Sequence, residues 1–130
     1  MQRFQVFEKA FNRYKDAVEQ DLLNELERNG LVQRFEYSIE LTWKVLKDFL
    51  TEKGFKDIKF PKDVIRQAFQ SKIIVNAQEL IDALDVRNEL SHDYDFEKFE
   101  KYETLIKNDF YKAIEIVYLY LKNEYARQQK

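Results

Sequence analysis

The sequence predicts an all-α fold: an antiparallel up-and-down bundle of four main helices with one short extra helix, with residues 1–130 as a single domain. Three observations carry that expectation. Turn formers are almost absent, with 2 glycines and 1 proline, so the connections between elements must be few and short. Apolar residues recur at three- and four-residue steps along most of the chain, the repeat that lays one stripe on a helix. No stretch alternates with period two for long enough to make a strand. A length of 130 residues suffices for one core and is short for two.

The first helix carries Phe4, Phe7, Phe11, Tyr14 and Val18 on one side, with charged residues between them. An aromatic stripe of this spacing is core or subunit interface. The pattern loosens near Gln20-Asp21, and Asn29-Gly30 reads as a stop, because both residues tolerate the left-handed cap conformation. The second helix is expected from about Leu31 to Lys53, with Phe35, Ile39, Thr42 or Trp43, Leu46 and Leu50 facing inward and Gly54 as its cap. Glu36, Glu40, Lys44 and Lys47 recur at helical spacing, which by itself describes surface ion pairs.

A lysine-rich connection, Phe55 to Phe60, leads to Pro61, whose missing N–H costs nothing in the first turn of a short helix. Val64, Ile65, Ala68 and Phe69 are expected on that helix's inner side, and Ser71 to Val75 as a linker. Asn76 with Glu79 resembles a capping box. The fourth helix places Leu80, Ile81, Leu84 and Asn88 on one strip and ends between His92 and Asp95, since Asp93 and Asp95 suit the N-cap of the last helix. That last helix runs from about Phe96 to Tyr125, with Tyr102, Ile106, Phe110, Ala113, Val117 and Leu121 on one face.

The bulk features exclude several functions. With no cysteine, neither disulfides nor thiolate zinc sites are available. The N-terminus meets charge too early for a signal-peptide core, and the longest apolar run, Ile114 to Leu121, contains Glu115 and is too short to span a bilayer. The expectation is a soluble cytoplasmic protein without membrane contact. A net charge of −2 argues against a nucleic-acid coat protein. Its distribution is uneven: basic residues crowd Lys53 to Lys72, whereas acids crowd Asn76 to Thr104. That asymmetry describes either a docking surface for a partner of opposite pattern or unevenly charged solvated helices.

Candidate chemistry concentrates in the run Asp85 to Asp95, which holds the single histidine of the chain. On a regular helix Asn88 lies one turn before His92, and Arg87 one turn before Ser91. Arg87 and His92 are about 140° apart around the axis, too wide to meet on one small atom. They converge if the helix frays, or if a second copy supplies half of the site by two-fold symmetry. Such a cleft has the parts for metal-independent RNA cleavage: one imidazole takes the 2′-hydroxyl proton, another protonates the leaving oxygen, and the guanidinium grips phosphate. The alternative is structural, with His92 favourable at a helix C-terminus and Arg87 paired to Glu89 or Asp93. Tyr94 is either an acceptor for a transferred nucleotide or phosphate, or an aromatic lid on the bundle end. No glycine-rich phosphate loop, Ser-His-Asp spacing or HExxH spacing occurs, nor the paired Glu-x-x-His motifs of a di-iron bundle. The expectation is no cofactor and no metal.

The run Arg87-Asn88-Glu89-Leu90-Ser91-His92-Asp93-Tyr94 resembles the R-x4-H-x-Y motif of HEPN domains. The segment Gln33-Arg34-Phe35-Glu36-Tyr37-Ser38-Ile39-Glu40-Leu41-Thr42-Trp43-Lys44 is similar to the hallmark of the nucleotidyltransferase substrate-binding subunit family within that group, and Pro61 to Arg66 fits the opening of its short helix. The resemblance implies a homodimeric four-helix bundle whose partner is a separately encoded minimal nucleotidyltransferase. The two often form a toxin–antitoxin system in which the HEPN subunit is an RNase. It further implies Arg87 and His92 as catalytic and Tyr94 as the tyrosine silenced by AMP transfer, and the helical spacing adds Asn88 and Ser91 as supporting candidates. Glu36, Glu40, Trp43 and Lys44 come with the hallmark as cleft or partner-surface candidates. An alternative role for the same family is a non-catalytic substrate-binding or adaptor subunit.

Overall fold

The computed structural model describes residues 2–21 and 24–129. Its elements are α1 (Gln2–Val18), α2 (Glu25–Glu52), α3 (Pro61–Gln70), α4 (Ala77–His92), α5 (Phe96–Thr104), a π turn (Leu105–Asp109) and α6 (Phe110–Gln128). The π turn joins α5 to α6 without leaving helical backbone, since Leu105 and Phe110 at its ends are both right-handed helical. Four long elements result, α1, α2, α4 and the α5–α6 rod, with α3 as the short extra helix. The all-α bundle is the fold the sequence predicts.

Cross-helix bonds fix the directions. Arg3 pairs with Asp48 at 3.2 Å, whereas Arg34 donates to the Arg13 carbonyl at 2.8 Å, so α1 and α2 run antiparallel. Glu40 meets Arg87 and Glu36 meets Ser91, so α2 and α4 are antiparallel as well. The rod reverses again: Tyr102 bonds Glu89 near its start, and Asn76 bonds the Ala113 carbonyl further on. Phe35 stacks on Phe110 and Phe49 meets Tyr125, so the rod lies parallel to α2.

The predicted inner stripes fill the core. Phe7, Tyr14, Phe35, Ile39, Leu46, Leu50, Leu80, Ile106, Val117 and Leu121 are fully buried, each removing apolar surface from water at about 25 cal/mol per Å². Four positions correct the sequence reading. Asn29-Gly30 does not stop a helix; it lies inside α2, which starts earlier because the Asn24 side chain accepts from the Glu27 N–H at 2.8 Å. That cap occupies a free donor of the first turn, and the buried Leu31 and Val32 repay the continuation through Gly30. Phe69 points outward at 52% exposed, because Val64, Ile65 and Ala68 already fill the narrow inner side of α3. Asn88 is likewise off the buried strip, and Ala83, Val86 and Leu90 complete the inner side of α4 instead. Asn76 precedes α4 but makes no capping bond; its amide is drawn into the core, where it donates to the Ala113 carbonyl at 2.9 Å.

Helix ends follow backbone logic. Beyond α2, the Gly54 N–H donates to the Thr51 carbonyl and the Phe55 N–H to the Leu50 carbonyl, with Gly54 at φ 97°. This is a Schellman closure with glycine at the left-handed position. The same closure ends α3, with Lys72 at φ 61° in the glycine's place. Asp95 caps α5 by accepting from the Lys98 N–H at 2.8 Å, as its position predicts. No helix among the described residues is long and apolar enough to cross a membrane.

Candidate functional site

The predicted site residues gather mostly along one seam, where α2 and α4 lie side by side. On α2, Asn29, Gln33, Glu36, Glu40 and Lys44 share a face at three- and four-residue steps. On α4, Arg87 and Ser91 share the facing strip, and Tyr94 closes the end from the turn beyond it. Two hollows lie along the seam. The first, of about 390 Å³, is lined by Asn29, Val32, Gln33, Glu36, Leu90, Ser91 and Tyr94. The second, of about 260 Å³, shares Gln33 and Glu36 with the first and reaches Tyr37, Glu40 and Arg87.

Glu40 organises the inner half. One oxygen, Oε2, receives Arg87 Nη2 at 3.3 Å and the Trp43 indole N–H at 3.1 Å, while Oε1 meets Lys44 Nζ at 3.3 Å. Two cations and an indole donor on one half-buried carboxylate make a charge-assisted network. Arg87 Nη1 also donates to Asn88 Oδ1 at 3.3 Å, and its buried Nε has no hydrogen-bond partner among the described residues. Arg87 therefore pairs across helices with Glu40 rather than with Glu89 or Asp93. Those two acids bond Tyr102 and Lys98.

The outer half is neutral and acidic. Ser91 Oγ donates to Glu36 Oε2 at 2.6 Å, and the Tyr94 hydroxyl donates to Asn29 Oδ1 at 2.7 Å. Arg28 sits over the Phe96 ring at 4.8 Å, and Lys98 holds Asp93 at 3.0 Å, so the turn carrying Tyr94 is tied on both flanks. Partial burial, followed by the nearby Glu25, pushes the Tyr94 phenol above its ordinary pKa. The phenol is consequently a protonated donor at neutral pH.

His92 stands apart. It is the last residue of α4, exposed, and lines neither hollow. No hydrogen bond joins it to Arg87, in keeping with the wide angle between the two around α4. Among the described residues no group of three or more His, Cys, Asp and Glu side chains is arranged to hold a metal ion.

Sequence reasoning missed Asn29, Val32 and Leu90 as site residues, and passed over Gln33 although it opens the hallmark segment. The signal for Asn29 was present: it sits four residues before Gln33 and seven before Glu36, on the same helical stripe. Its apparent stop signal with Gly30 concealed that.

A helical bundle with a polar seam between the second and third of its long elements, α2 and α4, gripped by one carboxylate and ending at an anchored tyrosine, has the form of a binding module. The chain belongs to the family described as nucleotidyltransferase substrate binding protein like, whose model matches residues 2–123. It is also similar to the crystal structure of ttk003001694 from Thermus thermophilus, with a TM-score of 0.76 and 29% identity, over 85% of this chain and 94% of that one. No curated protein sequence matches the chain.

Proposed function

We propose that this chain is the HEPN-type subunit of a two-protein assembly with a minimal nucleotidyltransferase, and that it presents the α2/α4 seam and Tyr94 to that partner. The family description supports the transferase association. The observation that carries the role of the site is the Tyr94 hydroxyl, held at the mouth of the seam by Asn29 at 2.7 Å and 38% exposed. A phenol so placed is reachable by a second protein and aimed by a fixed partner. In the transfer, the phenol oxygen attacks the α-phosphorus of ATP, forming a new P–O bond. The bond to pyrophosphate breaks, and the phenol proton passes to a base on the transferase, because the raised pKa of Tyr94 leaves no phenolate ready-made. Magnesium enters with the nucleotide.

Incubating the protein with ATP, magnesium and its cognate transferase, followed by peptide mass spectrometry, tests this reading. One AMP on the Tyr94 peptide, absent in Tyr94→Phe, is the expected result. A stable complex with no mass gain leaves the adaptor role alone, and no complex at all removes the reading.

The second reading makes the chain a cytoplasmic RNase toxin that acts as a homodimer and is silenced by the same modification. The exposure of His92 favours it, since a second copy is free to approach that imidazole. Arg87 is less ready, because an RNA phosphate must displace Glu40 from it. Growth arrest on expression without the transferase, lost in His92→Ala and in Arg87→Ala, is the expected outcome. Arrest that persists in both variants excludes it.

A further inference from the structure

The first hollow of the seam has a lining whose chemistry selects what it holds. Its floor is apolar, made by Val32 and Leu90, which are 3% and 2% exposed, and the Tyr94 ring forms one wall. Its polar groups are two neutral amides, two hydroxyls and one acid. Glu36 gives Oε2 to Ser91 and keeps Oε1 without a hydrogen-bond partner among the described residues, and Gln33 likewise has its whole amide free. Asn29 spends only its carbonyl oxygen, on Tyr94, and retains its N–H donors.

No lysine or arginine lines this hollow. The nearest lining cation along the seam, Arg87 of the second hollow, is already matched by Glu40. A phosphate entering here meets the Glu36 carboxylate with Glu25 and Asp95 close by, and the one cation felt at Tyr94, Arg28, is outnumbered by these acids and lies over the Phe96 ring. An uncharged planar group with an N–H donor for Glu36 and ring atoms for the amides meets complementary partners over an apolar base. The volume, about 390 Å³, lies within the range of small-ligand sites, roughly 300–1,000 Å³.

We infer that this hollow is a subsite for an amino-bearing nucleobase, with Glu36 Oε1 accepting from the exocyclic amine, Gln33 and Asn29 bonding the ring edge, and Val32 and Leu90 beneath the ring. The choice of a nucleotide's base, rather than another aminated heterocycle, rests on the reading of Tyr94 as a nucleotide acceptor. The subsite deepens that reading: this chain then helps select the nucleotide joined to Tyr94 and holds its base clear of the transferase afterwards.

The test tracks the methyl NMR signals of Val32 and Leu90 in the isolated chain during titration with adenosine, with purine riboside, which is adenosine lacking the amine, and with inorganic phosphate. Adenosine is expected to shift both residues saturably. Purine riboside should bind at least about five-fold more weakly, the loss of one hydrogen bond to a charged acceptor, and phosphate should leave both unmoved. Glu36→Ala and Gln33→Ala should each weaken adenosine by a similar factor. Gln33 is exposed and Glu36 half-buried, and an unchanged methyl spectrum of each free variant is the control for its fold. No saturable shift with adenosine, equal binding of purine riboside, or shifts produced by phosphate overturns the subsite. If adenosine fails to bind while Tyr94 is still modified, the subsite falls and the acceptor role stands. If adenosine binds but Tyr94 is never modified, the acceptor role falls and a nucleoside site remains.

Discussion

Arg87 and Glu40, 47 positions apart in the chain, are joined across two helices at 3.3 Å. The pair is about two-thirds to three-quarters buried, so neither partner is fully solvated. Removing one leaves the other's charge half-desolvated. Glu40→Ala should lower stability by about 1–2 kcal/mol, more than an exposed ion pair loses. Arg87→Ala should cost less, because Trp43 and Lys44 remain on Glu40. A double-mutant cycle in urea denaturation checks the pair, with a coupling of about 1 kcal/mol expected.

Tyr14 explains the π turn. The Phe110 N–H reaches back five residues to the Leu105 carbonyl instead of four. At this slip the neighbouring Ile106 carbonyl receives the fully buried Tyr14 hydroxyl. Burial drives that phenol well above its ordinary pKa. Tyr14→Phe keeps the ring and deletes the donor, and a buried carbonyl left unpaired costs about 1–3 kcal/mol. The melting temperature should fall by several degrees, with the loss confined to Tyr14 and not reproduced by Tyr37→Phe at the surface.

The two glycines should respond to alanine with opposite signs. Gly30 lies inside α2 and a methyl there meets no atom within 4 Å. Gly30→Ala should therefore stabilise by about 0.5–1 kcal/mol through helix propensity. Gly54 has equal room but sits at φ 97°, so Gly54→Ala should destabilise by about 1 kcal/mol through backbone strain alone. Lys72, at φ 61°, predicts the converse: Lys72→Gly should be neutral or slightly stabilising. Thermal denaturation of the three variants decides all of them.

Alkaline pH should unfold this protein early. Tyr111, Tyr118 and Tyr125 are each pushed up to about 12, mainly by burial and then by the carboxylates Glu115, Glu8 and Glu52. A folded pKa above the unfolded value of 10.0 means that ionisation favours the unfolded chain. Stability is complete below pH 10 and falls as pH rises from 10 towards 12. The tyrosinate absorbance contributed by these three, isolated by difference against their Phe variants, should rise with the loss of helical circular dichroism rather than ahead of it. Glu8→Gln should shift the Tyr118 contribution downward in pH by removing the negative neighbour.

Much of the fold was legible because each helix wrote its own stripe. Phe4, Phe7, Phe11 and Tyr14 announced α1 and are buried there, Pro61 marked the start of α3, and Asp95 marked the start of α5. The errors share a cause. Asn29-Gly30 has the chemistry of a helix end, yet the Asn24 cap and the burial of Leu31 and Val32 outweighed a local propensity of about 1 kcal/mol. Asn76 has the chemistry of a cap, yet a carbonyl 37 residues away was the better partner. The π turn left no local mark, since its reason is Tyr14, 92 residues before the carbonyl it satisfies.

The sequence by itself determined the helices, their inner faces and the clustering of chemistry around Arg87, His92 and Tyr94, because periodicity and caps are properties of neighbours along the chain. Only the tertiary structure decided that Arg87 answers to Glu40, that Tyr94 is fastened to Asn29, and that His92 stays outside the seam. Those are pairings between helices. A helix fixes which direction a side chain points, but the partner waiting there is set by how the helices pack.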